Sequence, residues 1–234
     1  MTSALAIETS GRTGSVALAT DGRAVASESF EHGLQNAAKI LPIIDGLCRA
    51  QGWTPCDLEH VYVSIGPGSF TGLRVGVTIA KTLSLATGAK LVAVPSTRVL
   101  VENAPPEATN VIIVLDAKRG HVFTARYERG ADGWTEREPA HLAKLSEVIA
   151  RSPRPAHLIG EGIPYHTAEI DPADGSVVVT PESTWRGSAE VLARLGYAMS
   201  QRGEFTGADR MTPHYIRLPE AEEKRLHAAQ KSPV

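Results

Sequence analysis

Two distant segments share a plan that narrows the folds open to this chain. ALAIETSGRTGSVAL (4–18) and VIIVLDAKRGHVFTA (111–125) each begin as an apolar run that ends in an acid, Glu8 or Asp116. A small residue follows, then a turn combining a basic residue with glycine, then an apolar return. Acid-ended hairpins are common, so chance accounts for the likeness as readily as duplication does. A duplication would mean an α/β chain of two similar lobes, 1–103 and 104–218, followed by a charged end, 219–234.

The surrounding pattern is that of alternating strands and helices. Residues 4–7 read as a buried strand and 15–19 as its return, with Asp21-Gly22 turning the chain into a third strand, 23–30. Leu34, Ala37, Leu41, Ile44 and Cys48 recur at helical spacing over 34–50, with Pro42 expected to kink that helix. Strands at 61–65 and 90–94 flank a second helix. Beyond the loop ENAPPEATN come strands at 111–115 and 121–128 and a helix near 142–150. A strand-loop HLIGEG, a strand VVVT and a helix over 188–201 complete the second unit. The end AEEKRLHAAQKSPV is expected to be loose.

The apolar content of 42% and charged content of 21% are those of a soluble globular protein. A formal charge of −2 lacks the basic field of stand-alone nucleic-acid binders, so near RNA a partner would supply the phosphate contacts. Cys48 and Cys56 are too few for a disulfide framework or a zinc set and fit a reducing cytosol. The start MTSALAIETS has no basic region before an apolar run, so no signal peptide is expected. Arg74, Lys81 and Lys90 break the longest apolar region, which argues against a membrane span. A cytoplasmic protein is expected.

The stretch SIGPGSFTGLRVGVTIAKTLSLATG (64–88) places four glycines around the start of a helix. In Gly66-Pro-Gly68-Ser-Phe-Thr-Gly72 the third glycine falls one residue late for a dinucleotide fingerprint, and no Gly-Lys-Ser/Thr follows as a P-loop requires. The loop reads first as a tight turn capped by Ser69 or Thr71, and only second as a phosphate site. Gly72, Gly76, Ala80, Ser84 and Gly88 then recur every four residues, so one helix face is small. Glycine inside a helix costs roughly 1 kcal/mol against alanine, so it asks for a packing reason. Two remain level: close packing on the chain's own sheet, or a helix interface with another subunit.

Catalytic signatures are scarce. The eight histidines (His32, His60, His121, His141, His157, His166, His214 and His227) include no pair three to five residues apart. No G-x-S-x-G elbow occurs, and neither cysteine has a nucleophile's context. Glu8 and Asp116 stand at strand ends where a magnesium nucleotide could sit, although acids there more simply cap solvated turns.

The segment SIGPGSFTGLRVGVTIAKTLSLATGAKLVAVPST strongly resembles the signature of the TsaB (also called YeaZ) family, supported by LAIETS, the I-L-P of the first helix, LDAKRG, the GEG loop and YIR. The resemblance implies an actin-like, two-lobed fold of duplicated ribonuclease H-like halves. It also implies a non-catalytic assembly subunit. Such a subunit pairs with a TsaD-type paralogue and a TsaE-type ATPase to place threonylcarbamoyl on the adenosine beside the tRNA anticodon. ATP, magnesium and metal are then expected in the partners and no cofactor in this chain, with tRNA met only through the complex and self-association when the partner is missing. The interface is expected on Leu34, Leu41, Ile44, Gly72, Gly76, Ala80 and Ser84. Glu8, Thr9, Ser10 and Asp116 are the residues expected near any nucleotide, and no catalytic or metal-binding residue is assigned. The chain departs from the family at Glu8, usually Asp, at Asn36, usually His, and at His121, usually an acid. The alternative is an enzyme of the superfamily, an actin-like ATPase or a glycoprotease-like metallopeptidase.

Overall fold

The computed structural model describes residues 1–31, 36–171 and 173–217. Leu34, expected at the interface, and the charged end 219–234 lie outside the described residues. In the first half, β1 (Ser3–Glu8), β2 (Thr13–Thr20) and β3 (Arg23–Glu31) form an antiparallel meander. After α1 (Asn36–Gln51), the strand β4 (His60–Ser64) pairs parallel to β1. Beyond α2 (Phe70–Thr87), β5 (Lys90–Val94) pairs parallel to β4. The helix α3 (Ser96–Val101) leads to a second unit, β6 (Asn110–Asp116), β7 (Val122–Gly130) and β8 (Gly133–Ala143), again an antiparallel meander. The remaining elements are α4 (Leu145–Arg151), β9 (Ala156–Ile159), β10 (Val177–Val179) and α5 (Ala189–Gln201), with β9 parallel to β6 and β10 parallel to β9.

The sheet orders are β3-β2-β1-β4-β5 and β8-β7-β6-β9-β10. Strand for strand, the two sheets have the same order and the same pairing directions. Glu8 and Asp116 end the equivalent strands β1 and β6. The expected two-lobed α/β fold, with duplicated ribonuclease H-like halves, is the fold of this chain.

Strand alternation sorts the core of the first lobe. Leu5, Ile7, Val16, Leu18, Val61 and Val63 face α1 and α2, where Ile40, Ile44, Val77 and Ala80 meet them. Ala4, Ala6, Ala17, Ala19 and Tyr62 face the other way and pack with Ala189, Leu192 and Ala193 of α5. Four alanines on that face let α5 come close, and Gly196 lies directly on the buried Tyr62 ring, where an added Cβ would stand 2.7 Å from Tyr62 Cβ. A single boundary after residue 103 therefore does not describe the packing, because α5 returns to cover the first sheet. Met211 also returns and is buried among Leu5, Ile7 and their neighbours.

Helix α3 is a wedge between the lobes. Val99 packs in the α5 side of the first lobe, whereas Leu100 and Val101 pack with Val111, Ile113 and Tyr127 of the second. One local expectation shifts. The run near 142–150 divides into the end of β8 and the short α4, while α1 contains Pro42 as expected. The strand β8, which the sequence pattern did not mark, opens at Gly133, and the charges Glu136, Arg137 and Glu138 interrupt its alternation.

Candidate functional site

The turns after β1 and β6 face each other across a cleft of about 860 Å³ between the lobes. Each turn is buttressed by the loop that follows the parallel strand beside it, and glycine is what permits the approach. An alanine Cβ at Gly68, after β4, would stand 2.9 Å from Ser10 Cβ and 3.0 Å from Ser10 C. One at Gly162, after β9, would stand 2.6 Å from Asp116 N. The amide of Ser69 donates to Ser10 O (2.7 Å), and that of Gly162 donates to Val114 O (3.0 Å). Ser69 also caps α2, accepting from the Gly72 amide at 3.2 Å. The glycine loop thus supports the neighbouring turn, as the first of its two readings holds.

The two strand-end acids have taken different roles. Glu8 is buried, and its Oε1 accepts from Ser10 N (2.7 Å), Ser10 Oγ (2.6 Å) and Ser64 Oγ (3.0 Å). Its Oε2 has no hydrogen-bond partner, and Gly187 lies against the carboxyl carbon. Burial pushes its pKa up, and the hydrogen bonds from Ser10 and Ser64 oppose that rise without cancelling it. Thr9 is likewise buried, with its hydroxyl unpartnered beneath Gly76.

Asp116 lies on the cleft wall. Burial acts to raise its pKa, but hydrogen bonds and charge from Lys118, with His166 nearby, outweigh this and hold it below the ordinary carboxylate value. Lys118 donates its amide to Oδ1 (2.9 Å) and its ammonium to Oδ2 (2.6 Å). His166 stands behind, with Nδ1 2.8 Å from Glu169 Oε1 and Nε2 3.7 Å from Asp116 Oδ1. Magnesium requires open oxygen ligands. Here the Oε1 of Glu8 has three donors, its Oε2 is shut away from the cleft, and the cation on Asp116 is a lysine. These residues do not fit a magnesium nucleotide held by the two acids.

Glu161, from the GEG loop, ties the lobes together. Its Oε2 accepts the Arg12 amide at 2.8 Å, and its Oε1 lies 3.3 Å from Arg186 Nε. Arg12 also bonds the Tyr165 hydroxyl and stacks over that ring, 4.9 Å from its centroid. A strap formed by residues 211–217 crosses from one lobe to the other. The His214 amide donates to Ile65 O (2.7 Å), and Arg217 donates to Ala117 O (2.9 Å). Neither Glu161 nor the strap was singled out as a site from sequence, although GEG and YIR were the motifs that marked them.

The small face of α2 points inward over Gly72, Gly76 and Ala80, whereas Gly88 at the helix end is exposed. A Cβ on Gly76 would overlap the Thr9 hydroxyl and reach Val63 Cγ2 at 3.5 Å and Ile7 Cγ2 at 3.6 Å. Gly72, Ala80 and Ile44 are buried as well. Gly76 and Ala80 thus pack on the chain's own core and Gly72 is buried beside them, where the expectation had put all three at the closest approach to a partner. Ser84 is half-buried, Leu41 is 52% exposed and Leu85 is 78% exposed. Among the described residues no group of three or more His, Cys, Asp or Glu is placed to hold a metal ion, and no helix is long and apolar enough to cross a membrane.

Comparison with known proteins places this geometry in context. Residues 34–174 match the family model described as TsaD: tRNA N6-adenosine threonylcarbamoyltransferase. The tRNA threonylcarbamoyladenosine biosynthesis protein TsaB of Bacillus subtilis is 29% identical over 96% of this chain and 98% of its own length. Its counterpart from Escherichia coli is 28% identical over 91% of this chain and 94% of its own. The solved structure of YeaZ from Pseudomonas aeruginosa has a TM-score of 0.78 at 24% identity, covering 92% of this chain and 100% of that one. That last likeness is one of fold.

Proposed function

From the premise that the chain belongs to the family of TsaD and, within it, to the TsaB (YeaZ) group, we infer that it serves tRNA threonylcarbamoyladenosine biosynthesis as an assembly subunit. The observation that carries this is the match to TsaB along nearly the full length of both chains. The cleft supports a non-catalytic role. The two strand-end acids leave no open pair of carboxylate oxygens for a metal nucleotide, since Asp116 holds Lys118 and Glu8 faces inward.

The partner in this reading is a TsaD-type paralogue, with a TsaE-type ATPase joining the pair. The contact surface is the outer side of α1 and α2, where Leu41 and Leu85 are exposed and Ser84 is half-buried. Gly72, Gly76, Ala80 and Ile44 support that surface from beneath. Two large apolar side chains exposed on neighbouring helices are the kind of anchor that association buries.

The experiment is replacement of the chromosomal TsaB gene of a bacterium by this one. Threonylcarbamoyladenosine is then measured in total tRNA, alongside co-elution of the purified chain with a TsaD-type protein. Restored modification together with co-elution supports the reading. Robust ATP or peptide turnover by the chain alone, without co-elution, overturns it in favour of the enzyme alternative.

A further inference from the structure

The fold assembles a surface of interleaved basic and aromatic residues from five separate segments. Arg12 comes from the β1–β2 turn, Phe70 and Arg74 from the start of α2, and Lys118 from the β6–β7 turn. Tyr165 lies beyond β9, and Tyr215 lies on the C-terminal strap. Arg12, Phe70, Lys118 and Tyr215 line the interlobe cleft, and Arg74 and Tyr165 pack against them from its rim, forming two clusters at its mouth. In one, the Arg74 guanidinium lies 3.9 Å from the Phe70 ring centroid and donates Nε–H to the Tyr215 hydroxyl at 2.9 Å, with the two rings 5.0 Å apart. In the other, Arg12 and Lys118 lie 4.9 Å and 5.2 Å from the ring of Tyr165, which is 51% exposed.

The chemistry of these contacts is specific in one respect. Both arginines are exposed, and their side chains are held by phenol oxygens and ring faces, which orient a guanidinium without neutralising it. The two acids that line the cleft are each met by a cation, Asp116 by Lys118 and Glu161 by Arg186, which leaves the charges of Arg12 and Arg74 in excess at the opening. A chain of formal charge −2 thus concentrates positive charge and exposed π-surface at one opening. The cleft volume of about 860 Å³ suits one unpaired nucleotide and is far too small for a duplex. Unpaired bases stacked on aromatic or guanidinium planes, with phosphates on arginine, are the usual terms of single-stranded RNA recognition.

We propose that the mouth of the interlobe cleft is an RNA contact site. It takes an unpaired nucleotide of the tRNA between the Phe70–Tyr215 and Tyr165 clusters, with Arg12 and Arg74 on the flanking phosphates. This deepens, and rests on, the reading of the chain as a tRNA-modification subunit. The negative charge of the whole chain keeps the isolated subunit a weak binder, so the site acts within the assembled complex.

The test uses the complex of this chain with a TsaD-type partner and an unmodified tRNA that reads a codon beginning with A. Binding is followed by fluorescence anisotropy from 50 to 300 mM KCl. The double variant Arg12→Glu/Arg74→Glu is compared with wild type and with Lys90→Glu, a charge reversal at the start of β5, the opposite end of the sheet. The expected result is tRNA affinity weakened roughly tenfold or more in the double variant, a salt slope reduced by about one per arginine, and little change in Lys90→Glu. If the reversals melt early, Arg12→Gln/Arg74→Gln reads the same slope without placing new charge beside Glu161. A double variant that co-elutes normally and binds tRNA with unchanged affinity and slope overturns the site. So does loss of co-elution from a folded variant, which would make the mouth a protein contact. Binding of ATP by wild type that the variant abolishes, with tRNA affinity untouched, would make it a mononucleotide pocket and overturn it too. A wild-type chain that neither co-elutes nor restores modification fails the functional reading instead, so the two failures are distinguishable.

Discussion

Gly76→Ala tests whether the small face of α2 serves the chain's own core. The added methyl would overlap the Thr9 hydroxyl inside 3.0 Å, while Val63 and Ile7 stand at 3.5 and 3.6 Å, ordinary contact distances. The clash is therefore with one short, buried side chain. Overpacking of this kind costs roughly 1–3 kcal/mol, and alanine returns roughly 1 kcal/mol of helix propensity. The net loss is up to about 2 kcal/mol, which in a chain of this size lowers Tm by roughly 2–4 °C per kcal/mol.

The informative quantity is the coupling with Thr9. Thr9→Ala removes the obstructing atoms together with a buried hydroxyl that has no partner. In that background Gly76→Ala should be neutral or stabilising, giving a coupling of roughly 1–3 kcal/mol in a double-mutant cycle. Urea or thermal melts of the four proteins measure it, beside size-exclusion chromatography with a TsaD-type partner. Additive effects of Gly76→Ala and Thr9→Ala would refute the reasoning. So would a Gly76→Ala protein as stable as wild type that no longer binds its partner, because the glycine would then face outward.

Gly68→Ala meets the backbone and Cβ of Ser10 in the neighbouring turn and Gly162→Ala meets the backbone at the end of β6, so each should cost roughly 1–3 kcal/mol with no relief from trimming a side chain, as melts would show. Glu8 should make stability depend on pH in the direction opposite to a salt-bridged acid. Its folded pKa is raised, so its contribution is fully present below the ordinary value of 4.5 and is lost as pH rises through the folded value. Glu8→Gln should flatten that part of the Tm–pH profile and melt higher than wild type at neutral pH; an unchanged profile would mean Glu8 titrates normally. Asp116 behaves the other way: burial acts to raise its pKa but Lys118 holds it low, so its contribution is present above the ordinary value and lost as pH falls through the folded one, and Lys118→Met should flatten that acid limb of the Tm–pH profile. Met211→Ala should cost about 2–5 kcal/mol, since the strap's methionine is a core residue of the first lobe.

The fold was legible because its signals are local. The two acid-ended hairpins differ in nearly every residue, yet each carries the same order of apolar run, acid, glycine turn and apolar return, and each becomes the start of an identical sheet order. What the sequence hid was direction. Spacing by four gives α2 a small face but does not say which way it points, and only Thr9, Ile7 and Val63 beneath Gly76 decide it. Helix α5 sits in the sequence of the second half, and no periodicity reveals that its partners are Ala4, Ala6, Ala17 and Ala19. The cleft was hidden for the same reason, since Arg12, Arg74, Tyr165 and Tyr215 share a site without sharing a motif.

The duplication also explains how one fold hosts two kinds of strand-end acid. In each lobe a glycine after the parallel strand presses on the turn behind the acid, so the backbone plan is common to both. The difference lies in the two residues next to the acid on its C-terminal side. After Glu8 come Thr9 and Ser10, whose small side chains let the longer carboxylate fold inward onto Ser10 and Ser64. After Asp116 come Ala117 and Lys118, and a shorter carboxylate cannot reach inward, so it stays on the cleft wall and is met there by the lysine. An inward acid frees its turn to present the Arg12 guanidinium to the opening, and an outward acid is neutralised by its own turn. Both routes remove negative charge from the cleft, which is the electrostatic condition an RNA phosphate requires.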